Sequence, residues 1–367
     1  MRFALLALAP ALLAAIPLCA QQNLPQWRLT KQSASIGEEI ELHRVRAATE
    51  LPDGTIAIAD AGNTRVVIAS ASGQSLRQFG RAGSGPGDFR ALLDLISVGD
   101  TIVTYDAELR RVSRFLSDGT FLRSSQLPMV DDRPVVLRAF ESSSAFLVTS
   151  TSSHTEREGG LFIDSVSVLR VGASGGATPL AREAWENSYQ YRQESGTTTY
   201  STPFLGRAMI FAAAGKTVIV PLAAAHVVML RPDGRRSTPV ELGVARRPFD
   251  RALVDAYRDS LLTLIRDENT AARVNSVFGS TFPTPRDRPF FEFGRAIGDQ
   301  VWLRSFPVGN EPTSTWHVFD AKAERYVARV TLPRTSRVLG GAGSRLIVLE
   351  RDESYVEYVA IHLVTRP

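Results

Sequence analysis

Residues 55–79, TIAIADAGNTRVVIASASGQSLRQF, and residues 101–125, TIVTYDAELRRVSRFLSDGTFLRSS, carry one pattern twice, 46 positions apart and without a gap. Thr55, Ile56, Asp60, Ala61, Arg65, Val66, Gly73, Leu76 and Arg77 recur as Thr101, Ile102, Asp106, Ala107, Arg111, Val112, Gly119, Leu122 and Arg123. Short β-type runs punctuated by turn residues, repeating every 40 to 50 positions or so, are the mark of propeller blades. Each blade is a four-stranded antiparallel sheet that radiates from a central channel.

With the strands lettered A to D outward, the first copy places A near 41–48, B at 55–60, C at 65–69 and D at 74–79, with Gly54 and Gly73 in the turns. The second copy spans 92–125. Looser copies follow at 135–140, 145–150 and 165–171, then at 204–212, 217–220 and 226–231. A fifth set lies at 290–297, 300–305, 315–320 and 326–332, and a sixth at 336–339, 345–350 and 355–364. The sixth lacks an outer strand, whereas residues 26–31 form a strand without a blade. Pairing the two removes both exposed edges. The fold expected is therefore all-β, a six-bladed propeller closed by an N-terminal outer strand, forming one domain over residues 21–367.

Residues 1–20 carry Arg2, then an apolar run interrupted by Pro10 and Pro17, then a polar change at Gln21. They read as a cleaved signal peptide and predict a periplasmic or secreted protein. Cys19 sits at the depth of a lipid-attachment site, but the Leu18 before it is large for that role, so a lipoprotein is the lesser reading. Cys19 is the only cysteine, so the mature chain would be held by packing alone. The net charge of +4 is small for 367 residues, and lysine occurs only at 31, 216 and 322. No basic run points to nucleic acid, and no second apolar stretch points to a membrane span. The reading is of a monomer.

The wording Pro52, Asp53, Gly54, Thr55, Ile56, Ala57, Ile58, Ala59, Asp60, followed by Asn63, Thr64, Arg65, Val66 and by Ser72, Gly73, resembles the NHL-repeat family of six-bladed propellers. The family's inner strand often begins with Pro-x-Gly, where this chain has Arg46, Ala47 and Ala48. The resemblance implies the fold. It also implies a range of functions, since such propellers include protein-binding, RNA-binding and lyase members.

Three insertions interrupt the repeat, at 151–163, 175–203 and 243–289. All fall on the face that carries the D-to-A and B-to-C connections, where binding is usually built. The third contains one helix from about Asp250, with Leu253, Val254, Tyr257, Leu261, Leu264 and Ile265 on one side. That helix is expected to lie over the channel mouth as a lid or wall, or else to pack at the rim.

Aligned inner strands read HRVRAAT, ALLDLIS, VVLRAFE, FLGRAMI, EFGRAIG and RTSRVLG. One slot then holds Arg46, Asp94, Arg138, Arg207, Arg295 and Arg337. Facing the channel, the arginines would form a collar for a carboxylate, phosphate or sulfated group. Turned between blades, they would pair with carboxylates such as Asp60, Asp106 or Glu292.

Other motifs carry less. Gly80–Gly87 lacks the Lys and Ser/Thr ending of a phosphate loop and reads as the crossing into the second blade. His226 and His317 occupy C-strand slots near those of Arg65 and Arg111, and only His43 approaches the channel, which is too few for zinc. Asp94 with Asp60 and Asp106 is the nearest thing to a calcium set. No GxSxG elbow is present, and His154 with Glu156 could do acid/base work in the first insertion. The leading expectation is a binding module for an anionic small molecule, a glycan or a protein loop, without a cofactor. The alternative is a channel-centred hydrolase or lyase, lactonase-like or amidating-lyase-like, that depends on a divalent metal.

Overall fold

A computed structural model describes residues 25–32, 35–37, 40–151, 160–193, 196–201, 204–231, 233–307 and 311–367. The signal segment 1–20, His154 and Glu156 lie outside them. The chain is mostly β. Strand β1 (Gln26–Lys31) is followed by a first four-stranded sheet, β2 (Val45–Glu50), β3 (Ile56–Asp60), β4 (Arg65–Ala69) and β5 (Ser75–Phe79). The second comprises β6 (Leu92–Val98), β7 (Thr101–Asp106), β8 (Arg111–Leu116) and β9 (Phe121–Gln126). After a short ribbon, β10 (Met129–Val130) and β11 (Arg133–Pro134), comes a five-stranded sheet. It contains β12 (Val136–Phe140), β13 (Phe146–Thr151), β14 (Gly160–Val171), β15 (Ala177–Gln193) and β16 (Gly196–Ser201).

A further four-stranded sheet holds β17 (Met209–Ala213), β18 (Lys216–Val220), β19 (His226–Leu230) and β20 (Val240–Glu241). Helices α1 (Ala252–Leu262) and α2 (Glu268–Val277) precede β21 (Phe291–Ile297), β22 (Gln300–Ser305), β23 (Thr313–Asp320) and β24 (Arg325–Pro333). The last strands are β25 (Arg337–Ala342), β26 (Arg345–Arg351) and β27 (Glu357–Thr365). Strand β1 runs antiparallel to β27, with Arg28 opposite Thr365, and parallel to β24, with Gln26 opposite Arg329. It thereby joins the two final strand sets into one eight-stranded sheet, as the unpaired N-terminal strand required.

The burial gradient follows the sequence. Middle strands are apolar on both faces, and every residue of β3 is buried, whereas β5 keeps its central residues exposed. Apolar clusters fill the gaps between consecutive sheets and return on themselves. Leu339, Ile347 and Leu349 of the last sheet pack with Val45, Ile56 and Val67 of the first. Trp27 anchors β1 among Trp302, Trp316 and Val348, its ring centroid 6.2 Å from that of Trp302.

The recurring aspartate tightens this frame. Asp60, fully buried, accepts from the His43 amide at 2.8 Å, Asn63 Nδ2 at 2.9 Å and Arg65 Nε at 2.7 Å. Asp106 does the same work with the amides of Arg90, Ala91 and Leu109. In each sheet the carboxylate ties the incoming connection to the turn after the second strand. Gly80–Gly87 lies in the crossing between β5 and β6, where Asp88 accepts from the Gly85 amide.

Two insertions differ from expectation. Most of 160–163 and 175–203 is strand, since β14 and β15 stay paired from Val171 with Ala177 out to Gly160 with Gln190, and β16 adds to their edge. The alternation of Trp185, Tyr189 and Tyr191 with polar neighbours is strand-like, but the surrounding Ser, Asn, Gln and Gly read as loop. The third insertion forms two helices rather than one. The first stops before Leu264, which is 80% exposed. Both pack against the strand extension through Tyr189, Tyr191, Tyr200, Phe204, Tyr257, Phe278 and Phe282. Tyr189 and Phe282 meet edge to face at 4.9 Å, a favoured aromatic geometry. No residue of either helix lines the cavities between the first strands of the sheets.

Candidate functional site

The first strands of the sheets line one channel, and they approach closely. A Cβ on Gly340 would lie 2.0 Å from the Ala48 carbonyl oxygen, and one on Gly294 2.4 Å from the Phe211 ring. β2, β6, β12, β21 and β25 each carry a register shift of the bulge type. Bulges bend a strand and re-aim its side chains, here at the channel wall.

The channel has two cavities. One, of about 350 Å³, is lined by the later parts of these strands, including Thr49, Ser97, Phe140, Ala212, Ile297 and Gly341. The other, of about 440 Å³, lies at the end where the chain enters the strands. All six residues of the slot, Arg46, Asp94, Arg138, Arg207, Arg295 and Arg337, line it. Asp94, Arg138 and Arg295 line both cavities, so they stand at the waist, while Arg46, Arg207 and Arg337 belong to the outer end alone. The slot is thus two tiers rather than one level. The bulges fall at different places relative to each residue, which an ungapped alignment cannot register.

The tiers differ in pairing. At the waist, Asp94 Oδ1 lies 2.8 Å from Arg295 Nη2, both side chains under one-fifth exposed. This pair joins β6 to β21, whose sheets share no edge and no apolar cluster, and so it spans the channel. Arg138 donates from Nε to Thr149 Oγ1 at 2.8 Å and lies over the Trp185 ring at 4.2 Å. Burial, helped by Arg207, lowers its pKa to about 10, so it stays charged at neutral pH. Arg337 donates to the Val45 carbonyl and stands 5.4 Å from the Phe293 ring centroid. Burial likewise lowers it to about 10, with Arg351 and Arg46 adding repulsion. The guanidinium groups of Arg46 and Arg207 have no hydrogen-bond or ion-pair partner among the described residues.

Two carboxylates, Asp94 and Glu292, face five guanidinium groups in this lining. Glu292 is engaged by Arg304 at 2.7 Å, and burial raises its pKa. The slot arginines do not pair with Asp60, Asp106 or Glu292, because those carboxylates already serve the turns and Arg304. Asp60 and Asp106 line neither channel cavity. His43 is exposed and does not line it. His226 opens β19 as Arg65 opens β4, but His317 lies deep within β23.

The wall also includes Tyr105, Trp185, Phe211 and Phe293, which were not foreseen as site residues. Trp185 arrives from β15, inside a segment that read as insertion. The aromatic positions of β7, β17 and β21 fit any apolar strand, so the sequence held no signal for them.

No family model matches the chain, and no curated protein matches it. Solved structures do. A member of the DUF4221 family from Bacteroides vulgatus aligns over 94% of this chain and 100% of its own, with a TM-score of 0.50 and 6% identity. A Bacteroides fragilis protein described as exported aligns over 92% and 95%, with a TM-score of 0.49 and 11% identity. Virginiamycin B lyase from Staphylococcus aureus aligns over 92% and 100%, with a TM-score of 0.43 and 9% identity. At such identities the likeness is one of fold.

Proposed function

We propose that the chain is a six-bladed, NHL-like β-propeller, one domain over residues 21–367, that works outside the cytoplasm as a binding module for an anionic ligand. The observation that carries this reading is the charge balance of the outer cavity. Its two carboxylates are each already paired, while Arg46 and Arg207 are not. A guanidinium with free donors in a partly desolvated cavity favours carboxylate, phosphate or sulfate groups, which accept two parallel hydrogen bonds. The aromatic wall adds stacking surface, so the ligand class is a multiply charged anion with a flat or sugar-like body, or an acidic loop of a protein.

Calorimetry with citrate, inorganic phosphate and a sulfated disaccharide tests this. The wild type should bind at least one of the three, more weakly as salt rises. The double variant R46A/R207A should lose tenfold or more, about 1.4 kcal/mol or greater, while its unfolding midpoint moves little. Equal affinity in both proteins sinks the reading. Stoichiometric calcium or zinc in purified protein would instead favour the hydrolase or lyase alternative.

A further inference from the structure

Away from the channel, Ser305 at the end of β22 lines a pocket of about 100 Å³ between the flanks of the helical insertion and the sheet of β21–β24. Its hydroxyl is 2.8 Å from His317 Nε2, and His317 Nδ1 is 2.7 Å from the Tyr326 hydroxyl, which also accepts from Arg329 Nε at 3.1 Å. Of the two neutral tautomers, the one that donates Nδ1–H to Tyr326 leaves Nε2 to accept from Ser305. That is the tautomer a general base needs. His317 is 4% exposed, stacked edge to face on Phe291, and only the serine reaches the pocket. The charged residues of the pocket lining are Arg247, Arg288, Arg334 and one carboxylate, Glu311. Arg288 Nη1 is buried without a hydrogen-bond partner among the described residues, although Nη2 stands 3.6 Å from Asp250 and Nε donates to the Pro248 carbonyl.

We propose that Ser305 is a nucleophile, with His317 as its base and Tyr326 as a positioning residue, and that the pocket takes esters of small anionic acids. The hydroxyl proton passes to His317 Nε2 as Ser305 Oγ bonds to the ester carbonyl carbon. The carbon–oxygen bond to the leaving alcohol then breaks, and that oxygen takes the proton from Nε2. Water repeats the exchange, giving its proton to Nε2, releasing the acid and restoring the serine hydroxyl. Arg247 and Arg288 hold the acid's free charge and face the developing oxyanion. The burial that keeps His317 neutral also makes it a weak base, lowering its pKa to about 4, so acylation should be easier to detect than rapid turnover.

An alkyl fluorophosphonate reports on this serine directly, since Oγ displaces fluoride from phosphorus and His317 accepts the proton. Full-length protein treated with it should carry one adduct, on the peptide containing Ser305. S305A should carry none there, and H317Q, checked by circular dichroism to be folded, should label at least tenfold more slowly. Succinate should slow labelling of the wild type and protect R247A severalfold less. No adduct on Ser305 in folded wild type overturns the proposal, as does labelling of folded H317Q at the wild-type rate. If H317Q does not fold, Y326F takes its place, with slowed labelling expected and an unchanged rate counting against the relay. Ser305 lines neither channel cavity, so failure here and failure of the channel reading are separate results.

Discussion

Arg65 and Arg207 are the same side chain put to opposite uses. Arg65, in the first sheet, has every guanidinium nitrogen engaged: Nε on Asp60, Nη1 on Gln78 at 2.6 Å and Nη2 on the Ile40 carbonyl at 2.6 Å. Arg207, at the outer tier of the channel, is exposed and unpaired among the described residues. A buried guanidinium costs several kcal/mol unless it is paired, and at Arg65 the frame engages all three nitrogens, whereas Arg111 in the second sheet engages only Nη1 and Nη2. At the channel mouth water meets the donors instead, and a ligand can replace the water. Arg65 and Arg207 are therefore told apart by how far their nitrogens are engaged, not by residue type.

The largest break in this contrast should come from D60A. Removing a fully buried carboxylate that serves two amino-acid side chains and an amide should cost about 3–5 kcal/mol, read by urea unfolding. Anion affinity of the folded protein should not change. If D60A costs under about 1 kcal/mol, the saturated frame is not what stabilises the first sheet.

His317 sharpens the same point, because it is buried and pairs with no carboxylate among the described residues. Its folded pKa of about 4 lies below the ordinary value of 6.5, so the unfolded chain binds the extra proton first. Stability should be full above about pH 6.5 and fall by about 2–3 kcal/mol as the pH drops to about 4. In H317N that part of the slope should disappear, which denaturant titrations at several pH values will show.

D94N tests the waist. It frees Arg295 from its one carboxylate, so citrate or phosphate should bind severalfold more tightly, by about 0.5–1.5 kcal/mol, with a stability change of about 1 kcal/mol or less. Weaker binding in D94N would mean that Asp94 contributes to the ligand site. The smallest effect is expected of R207A alone, within about 0.5 kcal/mol of wild-type stability yet measurably weaker for the anion.

How much of this was legible follows from period and burial. The blade-like units of residues 45–126 could be read because Asp60 and Asp106, Arg65 and Arg111, and Gly73 and Gly119 serve the same turns at one spacing. Strand β1 could be placed because an unpaired strand and a missing one demand each other. The extension of β14 and β15 could not, since polar alternation on a sheet with one wet face looks like loop until Tyr189 and Tyr191 find helices to cover them. The slot residues were found through the repeat, but their two tiers depend on bulges that leave no local mark. The relay from Ser305 to Tyr326 depends on three adjacent strands, and no linear motif records it.

The pairing of β1 with β27 also bears on how the chain comes to fold. Gln26 meets Arg329 and Arg28 meets Thr365, contacts separated by over three hundred residues of sequence. Such contacts come late and make folding slow. During synthesis β1 must wait for this partner until β27 has been made. Its charged positions Arg28 and Lys31 suit that interval, because charge on a waiting edge discourages pairing with the wrong chain.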